Sequence, residues 1–340
     1  MKTMIEEAAE IESIRKAARV IRQGGLVAFP TETVYGLGAN ALDPVAVARI
    51  FEAKERPSFD PLIVHVASLD TLARLTKRVD AAVFRLVEAF WPGPLTVVLP
   101  KNDLVPDIVT SGLSTVGIRM PDNKMALQLI RESGCPIAAP SANKFGQLSP
   151  VTAYHVKKQL PTIDYILDGG PTAVGIESTI VAVTGNTLQL LRPGYITLDD
   201  IEDALPGVFR FKQEVESKLM APGLMKSHYS PRKPLYILEG MPLVTEAEAF
   251  ALTTATPVLP PASGLILHSQ TDAHPDATRV IYTSNNRTLT EVAGNLFAAL
   301  HAMEEDGSIR QMYIESVPET GLGVAIMDRL KKAAYRYQNQ

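Results

Sequence analysis

The sequence predicts an α/β protein of two domains. The larger, over residues 1–206, is a mixed twisted sheet with helices; the smaller, over residues 235–340, is a parallel-sheet α/β domain; a basic, Pro-containing linker at 207–234 joins them. Three observations carry this. At 340 residues the chain exceeds the ~250 at which a single core stops growing economically. Strand-like apolar runs and helical patterns interleave up to about residue 191, with strands directly following strands toward the end, which marks a mixed sheet. Beyond residue 235 strands and helices alternate, as parallel sheets require.

In chain order, Ile11, Ile14, Ala18 and Ile21 share one helical face, and Gly24-Gly25 supplies a stop. Leu26–Phe29 reads as a short apolar strand, and PTETVYGLG (30–38) as a polar, Gly-bearing loop leaving its end. A helix from about Asp43 to Glu55 leads to LIVHV (62–66), whose unbroken apolar run predicts a strand buried on both faces. Further strands are expected near 95–99, 115–119, 137–139, 165–167, 178–183 and 188–191, with helices near 69–75, 81–90, 124–132 and 152–159. After Pro206 the regular pattern lapses, and APGLMKSHYSPRKP (221–234) is rich in Pro and basic residues, a composition that suits a tether or an active-site lid. Strands near 235–238, 264–268, 278–283 and 311–316 then alternate with helices near Glu246–Leu252, 289–305 and 322–337.

Composition narrows the function. With 46% hydrophobic and 21% charged residues the chain is an ordinary globular one. No apolar run approaches the ~20 residues of a membrane span, and the acidic start at Met1–Glu12 lacks the features of an export signal. Cys135 is the single cysteine, so intrachain disulfides and cysteine-cluster metal sites are excluded and a reducing, cytoplasmic location is expected. Residues 1–206 carry 20 basic against 23 acidic side chains and residues 235–340 carry 7 against 12, while residues 207–234 carry 6 against 2. Strong duplex binding is therefore not expected; a small polyanion suits the basic stretch better.

The sequence contains neither a P-loop nor a GxGxxG fingerprint, so a nucleotide site must be assembled from scattered loops. Lys54 and Arg56 stand two apart at a helix end before Pro57; they can hold a triphosphate or simply complement the helix dipole. Ser141 and Asn143 sit in a Pro-bounded loop after a short strand, where they can orient phosphate oxygens or serve the turn itself. Ser149 precedes Pro150 and a helix, the place of a cap. Arg119, at a strand end before Met120-Pro121, can clamp a carboxylate bidentately or form a structural ion pair. His65 lies inside the LIVHV strand and reads as a core histidine or a ligand.

Taken together and in order, PTETVYGLG, KERPSFDPLIVHV, STVGIRMPD, APSANKFGQLSP, and GIESTIV with LLRPG resemble the threonylcarbamoyl-AMP synthase family and its YrdC-like catalytic domain. The chain after the linker resembles the long, two-domain form of that family, which implies a smaller Rossmann-like parallel α/β C-terminal domain. The resemblance implies an enzyme that condenses L-threonine, bicarbonate and ATP to threonylcarbamoyl-AMP and pyrophosphate for tRNA modification. It implies that Lys54, Arg56, Ser141 and Asn143 are catalytic and contact ATP. Asp60, Thr115, Ser149, Arg192 and the linker residues His228 and Tyr229 join them at the nucleotide. Thr33, His65, Arg119, Ala139 and Ser178 are implied to hold the threonine. Mg2+ is expected to arrive on the triphosphate, held by phosphate oxygens and water, with no protein side chain as a ligand. A downstream tRNA threonylcarbamoyl-transferase complex is the expected partner, with direct tRNA binding weak or absent and no membrane.

Two positions depart from the family pattern. Asp60 stands where the family often has Asn, and its carboxylate would repel a triphosphate unless a metal or Lys54 intervened. Phe145 replaces a small residue and narrows the pocket, while Gly146 keeps the turn possible. The rival reading is a non-catalytic RNA-binding module of the same pathway, which the acidic balance of residues 1–206 opposes. A hydrogenase-maturation carbamoyltransferase, which embeds a similar domain, would need zinc-binding cysteine pairs that a chain with one cysteine lacks.

Overall fold

The structure is a computed structural model and describes residues 2–57, 60–212, 227–238, 259–269 and 276–338, with the side chains of residues 10–337 within those ranges. The helix expected near Glu246–Leu252 and the first part of the lid segment, Lys226 included, lie outside the described residues. The described chain divides into two compact units. One draws on Met1–Phe145, Ser149–Ala173 and Glu177–Leu224, the other on Gly146–Leu148, Val174–Ile176 and Met225–Gln340.

The first unit opens with α1 (Lys2–Arg22), β1 (Val27–Phe29), β2 (Gly36–Asn40), α2 (Pro44–Lys54), β3 (Ile63–His65), α3 (Leu69–Leu75) and α4 (Ala81–Phe90). It continues through β4 (Leu95–Pro100), α5 (Asp107–Thr110), β5 (Thr115–Arg119), α6 (Lys124–Ser133), β6 (Ile137–Ala138) and α7 (Ala153–Gln159). It closes with β7 (Tyr165–Ile166), β8 (Thr179–Thr184), β9 (Thr187–Arg192), α8 (Leu198–Ala204) and β10 (Arg210–Lys212). Its strands form one mixed sheet in the order β10-β9-β8-β4-β5-β3-β6-β2-β1-β7. Helix starts are fixed by side-chain caps: Asp43 accepts from Val45 and Ala46 N–H ahead of Pro44, and Asn123 and Thr152 cap α6 and α7.

Both faces of this sheet are covered in part. Val64, Val97, Val116 and Ile118 join the larger apolar cluster with residues of α2 and α4, while Ile14, Ala18 and Ile21 of α1 pack with Leu129 and Ile130 of α6 on Phe29 and Ile137. Side chains alternate along a strand. Since Val64 points into the larger cluster, Ile63 and His65 face the other way; since Val116 and Ile118 do, so do Thr115, Gly117 and Arg119. Toward β4, β8 and β9 that face carries the small apolar cluster of Ile63, Val98, Ile180 and Leu191.

Two expectations change. The PTETVYGLG stretch is not loop throughout: from Gly36 onward it is β2, antiparallel to both β1 and β6. The regular pattern also continues past residue 206, because Arg210–Lys212 adds β10 beside β9 in parallel. Both strands exist through their pairing, β2 with β1 and β6 and β10 with β9, and their own glycine-rich or exposed residues give no strand signal.

The second unit contains β11 (Leu235–Leu238), β12 (Ser263–Leu267), β13 (Arg279–Tyr282), α9 (Leu289–Glu305), β14 (Gln311–Glu315) and α10 (Leu322–Gln338). The strands are parallel throughout, ordered β11-β14-β12-β13. The end of the linker is fastened here. Lys233 Nζ donates to the carbonyls of Met303 and Asp306 at the end of α9, where a cation is favoured, and Arg232 pairs with Glu304. These two charges, expected to serve a lid, are thus engaged by the second unit.

At the carboxyl ends of the sheet, buried His268 takes three polar contacts: its N–H donates to Glu315 Oε2, Nδ1 meets Thr283 Oγ1 and Nε2 meets the Glu315 carbonyl. Burial pushes its pKa down to about 4, and burial together with Arg119 pushes that of His65 down to about 3. Both are neutral in the folded chain and titrate near 6.5 when unfolded. Below pH 6.5 the unfolded state therefore binds more protons, and the stability present above 6.5 is lost as pH falls toward those values. The urea midpoint should drop between pH 7 and 5, with a slope of up to about 1.4 kcal/mol per pH unit for each histidine. His268→Gln should flatten that slope, and an unchanged slope would contradict the assignment.

Candidate active site

The site of the first unit begins at the end of α2. Glu55 takes a left-handed conformation (φ 54°), and Arg56 N–H reaches back to the Phe51 carbonyl, a Schellman-type ending with glutamate in place of glycine. This turn sends Lys54 and Arg56 inward rather than into solvent. Lys54 is 1% exposed, and its Nζ donates to the carbonyls of Ser141, at 2.5 Å, and Asn143. Burial and then the Arg56 charge hold its pKa well below the usual lysine range, against a pull upward from Asp60. Arg56 donates to the Pro61 carbonyl at 2.9 Å and pairs with Asp60 Oδ2 at 2.9 Å.

Asp60 thus finds its counter-charge in Arg56. Burial raises its pKa, opposed by Arg56, Lys54 and Arg192 in that order, so three cations surround one carboxylate. Ser141 forms a bridge with Gly36, and the Tyr35 carbonyl accepts from Ala142 N–H, so β2 holds the Ser141–Asn143 loop against Lys54. Phe145 enters the same cradle through its backbone, donating to the Lys54 carbonyl at 2.9 Å.

The strands β3 and β5 run in parallel, with Ile63 beside Gly117 and His65 beside Arg119. Thr115 opens β5 on the same face as Gly117 and Arg119. Four residues later, about 13 Å along the strand, stands Arg119. It is 4% exposed and donates through NH1 to Thr33 Oγ1 (3.0 Å) and through Nε to the Gly93 carbonyl (3.3 Å), and it pairs through NH2 with Glu32 (2.5 Å). His65 is buried beside it with Nδ1 lacking a hydrogen-bond partner. Ala139 presents its backbone, its N–H donating to the Ile63 carbonyl.

A third group completes this face. Arg192 donates from Nε and NH2 to the Ser178 carbonyl (3.1 and 2.9 Å) and from NH2 to Ser178 Oγ, which also meets Thr96 Oγ1 at 2.8 Å. The approach depends on Gly194, where a Cβ would lie 2.2 Å from Thr179 N. Buried Ser149 donates to Glu177 Oε1.

The first unit therefore brings together Lys54, Arg56, Asp60, Ser141 and Asn143, and beside them Arg192 with Ser178. Thr33, His65 and Arg119 gather at the other end of β3 and β5. His228 and Tyr229 belong to the second unit, where Tyr229, buried and left-handed (φ 58°), stacks edge-on with His228 at 4.1 Å and packs on Phe297 under Arg329. Sequence reasoning missed Glu32, Thr96 and Glu177. Glu32 had one usable signal, a carboxylate beside Thr33 in a short loop, but its partner Arg119 is far along the chain.

A mixed α/β fold with two groups of buried cations has the makings of an enzyme site, and such groups suit anionic ligands. The family model for Sua5, YciO and YrdC proteins, described as telomere recombination, matches residues 19–194, and one described as threonylcarbamoyl-AMP synthase, C-terminal domain, matches residues 196–335. The chain is 44% identical to threonylcarbamoyl-AMP synthase of Pyrococcus abyssi, covering 97% of this chain and 96% of that one. It is 43% identical to the Bacillus subtilis protein of the same name, covering 94% and 92%. A crystal structure of P. abyssi Sua5 complexed with L-threonine is similar with a TM-score of 0.81 and 42% identity over 95% of this chain and 94% of that one. The chain belongs to the threonylcarbamoyl-AMP synthase family.

The buried Arg56–Asp60 pair makes a stability prediction. Arg56→Ala strands the carboxylate and should cost about 3–5 kcal/mol, whereas Asp60→Asn keeps a polar acceptor there and should cost less. Urea unfolding of the two variants checks this, and equal costs would contradict it.

Proposed function

We propose that this chain synthesises L-threonylcarbamoyladenylate from L-threonine, bicarbonate or CO2, and ATP, releasing pyrophosphate, and so serves threonylcarbamoyladenosine formation in tRNA. The observation that carries this reading is that one unit holds both the Lys54–Arg56–Arg192 group and the Arg119–Thr33 group buried. The first suits a triphosphate and the second an α-carboxylate.

In this reading threonine's amine captures CO2, and the carbamate oxygen attacks the α-phosphorus and expels pyrophosphate. No enzyme nucleophile is needed. Arg119 and Thr33 hold the carboxylate, with His65, Ser178 and the backbone of Ala139 shaping the rest of the amino-acid pocket. Lys54, Arg56 and Arg192, with Ser141, Asn143, Ser149 and Thr115, hold the nucleotide, and their charge stabilises what develops at phosphorus. The Lys54 ammonium, now on two carbonyls, gains phosphate oxygens on binding. Asp60 keeps Arg56 oriented until the triphosphate takes its place as counter-charge.

Mg2+ would accompany the triphosphate, coordinated by phosphate oxygens and water. Asp60, the carboxylate among these cations, is committed to Arg56, which fits a metal that needs no protein ligand. His228 and Tyr229 are proposed to meet the nucleotide, as the family resemblance implies.

The product is proposed to pass to a tRNA threonylcarbamoyl-transferase complex in the cytoplasm. Among the described residues no helix is long and apolar enough to cross a membrane.

Pyrophosphate release should require ATP, threonine and bicarbonate together. Lys54→Ala should lower kcat/KM by about 100-fold or more, the scale of losing one preorganised donor. Folded protein that releases no pyrophosphate under these conditions would overturn the reading in favour of a binding module.

A further inference from the structure

Glu32 is the carboxylate at the amino-acid end of the site, and its surroundings are incomplete. It lies in the loop between β1 and β2, 8% exposed, with Oε1 on Arg119. Its Oε2 is buried and has no hydrogen-bond partner. A buried carboxylate oxygen left unpaired costs more than an ordinary hydrogen bond returns, so the arrangement is suited to a donor that arrives from outside.

The neighbouring groups say which donor. Arg119 is fixed through Thr33 and the Gly93 carbonyl. Thr33 is fixed in turn, because Thr31 Oγ1, which donates to the Val34 carbonyl, shares a 2.8 Å hydrogen bond with Thr33 Oγ1. A guanidinium at the end of β5 and a carboxylate in the β1–β2 loop are thus held side by side. An α-amino acid presents the complementary pair on a single carbon, its carboxylate toward Arg119 and its ammonium toward Glu32. The other buried carboxylates of this face are already engaged: Asp60 pairs with Arg56 and Glu177 accepts from Ser149.

Resting on the synthase reading above, we infer that Glu32 binds the α-nitrogen of threonine and takes the proton that nitrogen loses as the carbamate forms. The step balances. Bicarbonate takes one proton from the ammonium and gives CO2 and water. The neutral amine's lone pair then forms the C–N bond to CO2, an N–H bond breaks, and its proton goes to Glu32 Oε2, leaving a carbamate anion. Glu32 returns the proton to solvent after product leaves. No oxidant, reductant or further reactant is required.

The test uses the full chain and Glu32→Gln, which keeps an acceptor for Arg119 but cannot take a proton. Two directions are measured: pyrophosphate release from ATP, threonine and bicarbonate, and ATP formation from threonylcarbamoyl-adenylate and pyrophosphate. The second breaks only the carbamoyl–phosphate bond and needs no proton from nitrogen. The expected result is a forward kcat lowered about 100-fold or more, in the range of general-base catalysis, with reverse ATP formation within about 3-fold of the parent. Glu32→Asp should restore part of the forward rate. Forward activity within about 3-fold of the parent would overturn the assignment, as would an equal fall in both directions, which would make Glu32 a support for Arg119 alone. A parent chain inert in both directions would instead sink the synthase reading, so the two failures are distinguishable.

Discussion

Lys54, Arg56, Arg119 and Arg192 are each less than one tenth exposed within one unit of the fold. Removing a cation from water costs several kcal/mol even after relaxation, and the cost is tolerable only where oxygen atoms replace the lost hydration. Each of the four has them. Carbonyls of Ser141 and Asn143 hold Lys54, Asp60 and the Pro61 carbonyl hold Arg56, Glu32, Thr33 and the Gly93 carbonyl hold Arg119, and Ser178 holds Arg192. The fold serves this arrangement. The parallel pair β3 and β5 fixes the separation of its two ends, β2 presses the Ser141 loop onto Lys54, and the close approach at Gly194 seats Arg192 on Ser178.

The same oxygens mark the positions a substrate's oxygens can take. Asp60 and Glu32 differ in this respect. Asp60 lies among three cations and serves as a counter-charge, whereas Glu32 meets one cation and keeps a second oxygen unpaired. A site that holds cations ready in a dry environment needs little reorganisation when charge develops.

Much of this was legible in the sequence where the signal is local. Apolar runs such as LIVHV point to β3, an apolar helical face and a Gly-Gly stop point to α1, and regular alternation points to the parallel sheet of the second unit. The strand β2 was not legible, since GLGAN offers almost no side chains and owes its conformation to β1 and β6. Lys54 and Arg56 were placed at a helix end, but a solvated terminus fitted the sequence as well. What buries them is the left-handed turn at Glu55, a conformation no residue type there announces. The sequence allows Arg119 either a carboxylate clamp or a structural ion pair, because its partner Glu32 is far along the chain and meets it only in the fold.

The central claim is that these buried cations are oriented for two substrates at once. A crystal structure of the full chain with L-threonine and a non-hydrolysable ATP analogue tests it most directly. The account predicts the threonine carboxylate on Arg119, its nitrogen within hydrogen-bond distance of Glu32 Oε2, and phosphate oxygens on Lys54, Arg56 and Arg192. A nucleotide bound away from these three cations, or a threonine whose carboxylate does not reach Arg119, would contradict it.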